Sequence, residues 1–127
     1  MKILVADDDR LILKMIYEIL TGAGHDVVLA QDGKDALEKV NQEKPDLIVL
    51  DIILPGLLGT EILDELKEQR ESAEIPVLLI SSRFASMEDD PDLLEQFKGD
   101  DFLHKPFEPE DLIEKINELS FGMKSGS

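Results

Sequence analysis

Apolar positions along the chain fall into blocks of two periods, and the blocks alternate. A continuous apolar run within residues 2 to 7 predicts a strand, after which Leu11, Ile12, Met15, Ile16, Ile19 and Leu20 recur at the spacing of one helix face. Gly22 and Gly24 close that helix. "DVVLA" (26–30) predicts a second strand, and Asp32 caps a helix carrying Ala36, Leu37 and Val40. "PDLIVLD" (45–51) is apolar on both faces, as a strand covered from both sides must be, and Ile62, Leu63 and Leu66 mark a third helix. "IPVLLIS" (75–81) predicts a fourth strand and "DDFLHK" (100–105) a weaker fifth. "EPEDLIEKINEL" (108–119) predicts a final helix with Pro109 in its first turn, where a missing N–H matters least. Between Ser82 and Gly99 the pattern is poor; a polar loop followed by a short helix from near Pro91, with Leu93, Leu94 and Phe97 inward, is the reading.

Repeated strand and helix alternation predicts an α/β fold: a doubly wound parallel sheet covered on both faces, with right-handed crossovers. A chain of 127 residues fits a single domain, expected over residues 1–120. The end, "SFGMKSGS", is polar and glycine-rich, so residues 121–127 are expected to be a mobile tail, the stub of a linker or an added remnant.

Charge narrows the functions open to such a domain. Lys and Arg number 13 against 29 Asp and Glu, a formal charge of −16, so a nucleic-acid backbone would be repelled and direct nucleic-acid binding is not expected. Cysteine is absent, which removes disulfides, thiolate metal sites and cysteine nucleophiles and suits a reducing cytoplasm. The opening "MKILVADDD" is too short an apolar run for a signal peptide, and no stretch approaches the roughly 18–20 apolar residues of a membrane span; a cytoplasmic location with no membrane partner is expected.

In an open parallel sheet the ligand site lies at the carboxyl ends of the strands, near the switch in strand order. There the first strand delivers Asp7 and Asp8, the third Asp51, the fourth Ser81 and the fifth Lys105. Asp9 stands where it caps the first helix, and capping needs one acid, not three. Converging carboxylates repel by several kcal/mol per pair at an effective dielectric of about 20, so a cation belongs among them. A hard divalent ion with oxygen ligands fits; magnesium suits one or two carboxylates better than a full calcium cage does. Zinc is disfavoured, because His25 and His104 show no paired ligand spacing. Lys105 and Ser81 supply a charge and a hydroxyl aimed at an anion on Asp51 or on the metal. Phosphoryl transfer to a carboxylate nucleophile uses that set.

"ILVADDD", "DLIVLDIILPGLLG", "PVLLISS" and "FLHKPF" together resemble the receiver domain of two-component response regulators, over essentially residues 2 to 119. The resemblance implies a flavodoxin-like, CheY-like (βα)5 sandwich whose five parallel strands run in the order 2-1-3-4-5. It implies Asp51 as phosphoacceptor, Asp8 as direct metal ligand with Asp7 as its partner, and the backbone carbonyl of Ile53 as a further ligand. Ser81 is similar to the hydroxyl residue that follows the phosphoryl group, Lys105 to the lysine that pairs with it, and Phe102 to the switch aromatic. Lys105-Pro106 resembles the family's cis peptide, a form that costs an X-Pro bond only about 0.5–1 kcal/mol; a trans bond in a plain turn is the alternative.

The same resemblance implies a cofactor, Mg2+, for which Mn2+ can substitute, and a sensor histidine kinase or histidine phosphotransfer protein as phosphoryl donor. It implies a downstream protein or effector domain on the face made by the fourth helix, fifth strand and fifth helix, and it allows a phosphorylation-linked homodimer. Such a chain is a signalling domain rather than an enzyme: it catalyses only its own phosphorylation and dephosphorylation. Leu58 stands where the family often has an acid, and the stretch from Ser81 to Lys105 is about two residues longer than usual, which bears on the fourth helix and its partner surface. Ile53 and Arg83 occupy positions that overhang the acyl phosphate and tune its lifetime. Two other readings stay open. One is an interaction module that works without phosphorylation. The other is a magnesium-dependent phosphatase using Asp51, although Ile53 stands where such an enzyme needs a second acid.

Overall fold

The computed structural model describes residues 1–51, 59–69, 74–81, 101–104 and 107–125. Five strands form one sheet in the order β2-β1-β3-β4-β5: β1 (Lys2–Ala6), β2 (Asp26–Ala30), β3 (Leu47–Asp51), β4 (Val77–Ser81) and β5 (Asp101–His104). Each neighbouring pair is parallel. Helices α1 (Arg10–Gly22), α2 (Gly33–Glu43) and α3 (Gly59–Glu68) and a C-terminal helix (Pro109–Ser125) connect and follow the strands. The short helix expected from near Pro91, with Leu93, Leu94 and Phe97, lies outside the described residues.

The period of two along each strand sorts the core into two layers. Leu4 and Ala6 of β1 and Ile48 and Leu50 of β3 face α2 and α3, where Val40 and Leu66 meet them. Their neighbours Ile3, Val5, Leu47 and Val49 point the other way, to Ile16 of α1 and Leu112 of the C-terminal helix. All five residues of β3 are buried, which explains why that strand reads as continuously apolar rather than alternating. Each fully buried Leu or Ile contributes about 1.5–3 kcal/mol relative to exposure, so the central strands anchor the domain.

Local chemistry sets where the elements start and stop. Asp9 caps α1 as expected: its carboxylate accepts from the N–H of Leu11 at 2.9 Å and of Ile12 at 3.4 Å. Asp32 caps α2, accepting from the N–H of Asp35 at 2.8 Å. The end of α1 uses Gly24 in the left-handed region (φ +93°), with the N–H of Gly24 bonded to Thr21 O at 3.0 Å and that of His25 to Leu20 O at 3.0 Å. This paired closure needs φ > 0 at one residue, which glycine adopts without strain. No glycine ends α2; Lys44 takes the left-handed position itself (φ 48°).

β2 fills its apolar run, and the other four strands are shorter than the runs that predict them. β3 starts at Leu47 and not at Pro45, because proline has no N–H for the ladder and Asp46 is occupied in a different exchange. Its N–H donates to Lys2 O at 2.8 Å, and its carboxylate accepts from the N–H of Lys2 at 2.8 Å. At the other end of the chain the C-terminal helix begins at Pro109 as expected and continues to Ser125, through residues read from composition as a tail. A lone Gly122 costs a helix about 1 kcal/mol, which does not stop one already propagating. Among the described residues no helix is long and apolar enough to cross a membrane.

Candidate functional site

Strand order reverses between β1 and β3: the chain leaves β1 for the edge strand β2 and returns past β1 to β3. The carboxyl ends of β1 and β3 therefore border the crevice in which ligands of such sheets bind. Register carries the predicted residues to that edge. Ala6 pairs with Leu50, so the residues that follow them, Asp7 and Asp51, stand side by side at that edge. Asp51 in turn pairs with Ile80, and Ser81 with His104, so the backbone of Ser81 and the residue before Lys105 stand on the same edge.

Asp7, Asp8 and Asp51 come together there, each offering a carboxylate oxygen within 4.8 Å of the others. They differ in surroundings. Asp7 is fully buried and Asp51 is 7% exposed, the two buried charged residues found among the described ones, whereas Asp8 faces solvent. Asp7 is anchored at the main chain and the side chain: its N–H donates to Ala30 O at 3.2 Å, and its Oδ1 accepts from the N–H of Asp9 at 2.9 Å. At 4.8 Å and an effective dielectric of about 20, two carboxylates repel by about 3.5 kcal/mol.

That donor set fits a hard divalent cation. It is all oxygen, partly dehydrated by burial and open to solvent at Asp8. Ligands about 2.1 Å from one magnesium ion are at most about 4.2 Å apart, so oxygens spread within 4.8 Å need only small adjustments to share an ion. His25 lies elsewhere, between α1 and β2 at the amino end of the sheet, with Nδ1 3.2 Å from the Met1 ammonium. Burial, and then the positive N-terminus, lowers its pKa below 6.5.

The predicted residues are thus placed unequally. Asp7, Asp8 and Asp51 are brought together; Ser81 ends β4 and Phe102 lies within β5, both placed by their backbone. Lys105, Pro106, Ile53 and Arg83 lie outside the described residues, and with them the cis peptide, the carbonyl ligand and the overhanging side chains. Sequence reasoning missed the bond from the N–H of Asp9 to Asp7, although an Asp just past a strand end is a residue type that accepts from the backbone N–H two residues on.

Comparison with known proteins agrees with this geometry. The family model described as "Response regulator receiver domain" matches residues 3–117. The alkaline phosphatase synthesis transcriptional regulatory protein PhoP of Bacillus subtilis is 37% identical over 118 residues, covering 93% of this chain and 48% of PhoP. The chain spans about half the length of the curated relatives it matches. Among solved structures, the chemotaxis response regulator CheY4 of Vibrio cholerae superposes with a TM-score of 0.85 at 27% identity, over 93% of this chain and 97% of that one. NtrX from Brucella abortus gives a TM-score of 0.86 at 34% identity, over 98% of this chain and 28% of that one.

Proposed function

The chain belongs to the response regulator receiver domain family of two-component systems, and from that premise we propose that Asp51 accepts a phosphoryl group from a phosphohistidine of a sensor kinase or phosphotransfer protein. The observation that carries the proposal is the meeting of the Asp51 carboxylate, at the end of a fully buried strand, with those of Asp7 and Asp8.

A carboxylate oxygen of Asp51 attacks phosphorus in line with the phosphorus–nitrogen bond. That bond breaks, its electron pair returns to the imidazole nitrogen, and an acyl phosphate is left on Asp51. Receiver domains depend on magnesium in general; here Asp7, Asp8, Asp51 and the carbonyl of Ile53 would hold Mg2+ or Mn2+, which supplies charge neutralisation at the phosphoryl oxygens. The Lys105 ammonium and the Ser81 hydroxyl hold the remaining oxygens. Ser81 moves toward the phosphoryl group, Phe102 fills the space it leaves, and the face that the family builds from its fourth helix, fifth strand and fifth helix changes its preference for partners. The shift is one of populations, biased by the new dianion.

The domain is a signalling component whose chemistry is confined to its own phosphorylation and dephosphorylation. Its partners are a kinase or phosphotransfer protein on one side and an effector domain or downstream protein on the other, with homodimerisation as one route to output. A net charge of −16 argues against direct contact with nucleic acid. The absence of cysteine suits the reducing cytoplasm. Incubation with magnesium and phosphoramidate, followed by intact mass measurement, tests the reading. The parent gains one phosphoryl group and Asp51→Asn gains none; an unchanged parent mass, or a gain that survives the substitution, rejects it.

A further inference from the structure

Asp9 belongs to two structures at once. Its backbone N–H donates to Asp7 Oδ1 at 2.9 Å, while its own Oδ1 accepts from the N–H of Leu11 at 2.9 Å and of Ile12 at 3.4 Å in the first turn of α1. Its carbonyl accepts the first bond of the helix ladder, from the N–H of Leu13 at 2.9 Å. One residue therefore joins a buried carboxylate of the acidic cluster to the start of a helix.

We propose that Asp9 is a positioning residue for the cation site: its N–H fixes the carboxylate of Asp7, and its side chain fastens that carboxylate to the first turn of α1, so that cation binding and order at the helix start are coupled. The inference rests on the reading that Asp7, Asp8 and Asp51 hold a divalent ion. Asp7 is fully buried and its backbone is held by Ala30 O, so the remaining freedom of its carboxylate is rotation about the side-chain bonds. A donor on Oδ1 restricts that rotation and leaves the rest of the carboxylate's lone pairs for other partners. Outer groups that orient a metal ligand in this way typically change metal affinity about 10- to 100-fold when lost. Coupling is reciprocal: whatever the helix cap adds to cation affinity, the cation adds to the order of the cap.

A plain helix cap makes a different prediction, because losing it lowers stability without selecting the cation site. Two substitutions separate the roles. Asp9→Ala removes the side-chain acceptor and the charge but keeps the N–H. Asp9→Pro removes the N–H as well, at a residue whose φ of −85° lies near the angle proline adopts. With Mg2+ titrated into each by calorimetry, the proline variant binds about tenfold or more weakly than the alanine variant. Equal affinity in the two overturns the proposal. If the proline variant does not fold, an α-hydroxy acid incorporated at position 9 replaces the N–H with oxygen and keeps the carboxylate. That protein binds Mg2+ about tenfold more weakly than the parent, and parent-like affinity overturns the proposal. A further readout is hydrogen exchange: Mg2+ slows exchange at the N–H of Leu11 and Ile12 in the parent, and exchange indifferent to Mg2+ overturns the coupling. A parent that binds no Mg2+ overturns the cation site itself, an outcome distinct from intact binding that ignores position 9.

Discussion

Replacing Asp8 by Asn keeps shape and hydrogen-bonding capacity while removing one charge from a cluster whose oxygens lie within 4.8 Å of one another. Without a cation Asp8 faces two repelling neighbours, Asp7 and Asp51. At that separation each pair is worth about 3.5 kcal/mol at an effective dielectric of about 20 and about 0.9 kcal/mol in water. Asp8 faces solvent and salt screens it, so the lower end governs, and relief of about 1–3 kcal/mol is expected. For a chain of this size 1 kcal/mol moves Tm by roughly 3–5 °C. In chelator, Asp8→Asn should therefore melt about 3–15 °C above the parent. Magnesium reverses the comparison: at about ten times its Kd it adds about 1.4 kcal/mol to a protein that binds it, and Asp8→Asn should gain little of this. Thermal unfolding of both proteins in chelator and in saturating magnesium reads all four values. A variant no more stable than the parent in chelator, or one that keeps the parent's gain from magnesium, would refute the electrostatic account of the site.

Three other outcomes follow from named features. Lys44 holds a left-handed conformation (φ 48°) that costs a residue with a Cβ about 1 kcal/mol or more, so Lys44→Gly should raise stability by about 0.5–1 kcal/mol after the extra entropy of its unfolded chain; a lower urea midpoint would contradict this. His25 has a lowered folded-state pKa, from burial and then the nearby N-terminus, so the unfolded chain binds its proton first as pH falls through 6.5. Stability should drop on acidification in that window and be flat in this respect above it, and His25→Gln should remove the drop; an unchanged pH profile of Tm in the variant would count against it. The family resemblance implies that Ile53 overhangs an acyl phosphate on Asp51, and on that reading Ile53→Asn dephosphorylates itself faster than the parent; a slower variant would reverse the assignment.

Much of the fold is legible because burial writes itself into the strands. Leu47 to Leu50 are apolar without a break since β3 is covered on both faces, and Asp9 and Asp32 are the acids a helix start requires. Strand ends are less legible. Apolar runs overshoot the ladders at Pro45 and Ile75, because hydrophobicity marks burial and the ladder needs a backbone donor in register. Nothing in the residue type marks Lys44 as left-handed, and nothing in "SFGMKSGS" shows that helical backbone reaches Ser125. The acidic site follows from strand ends alone, since parallel register carries Asp7 and Asp51 to one edge together. The division of labour within it does not. Burial of Asp7 against exposure of Asp8, and the bond from Asp9 to Asp7, depend on how the chain turns after Ala6.

The central claim is that Asp51 is the residue on which phosphorus lands. Treating the phosphorylated protein with borohydride converts an aspartyl phosphate to homoserine, and peptide sequencing then reports the position. Homoserine at residue 51 alone is the result predicted here; homoserine at residue 7 or 8, or none in a protein that has gained a phosphoryl group, would contradict it.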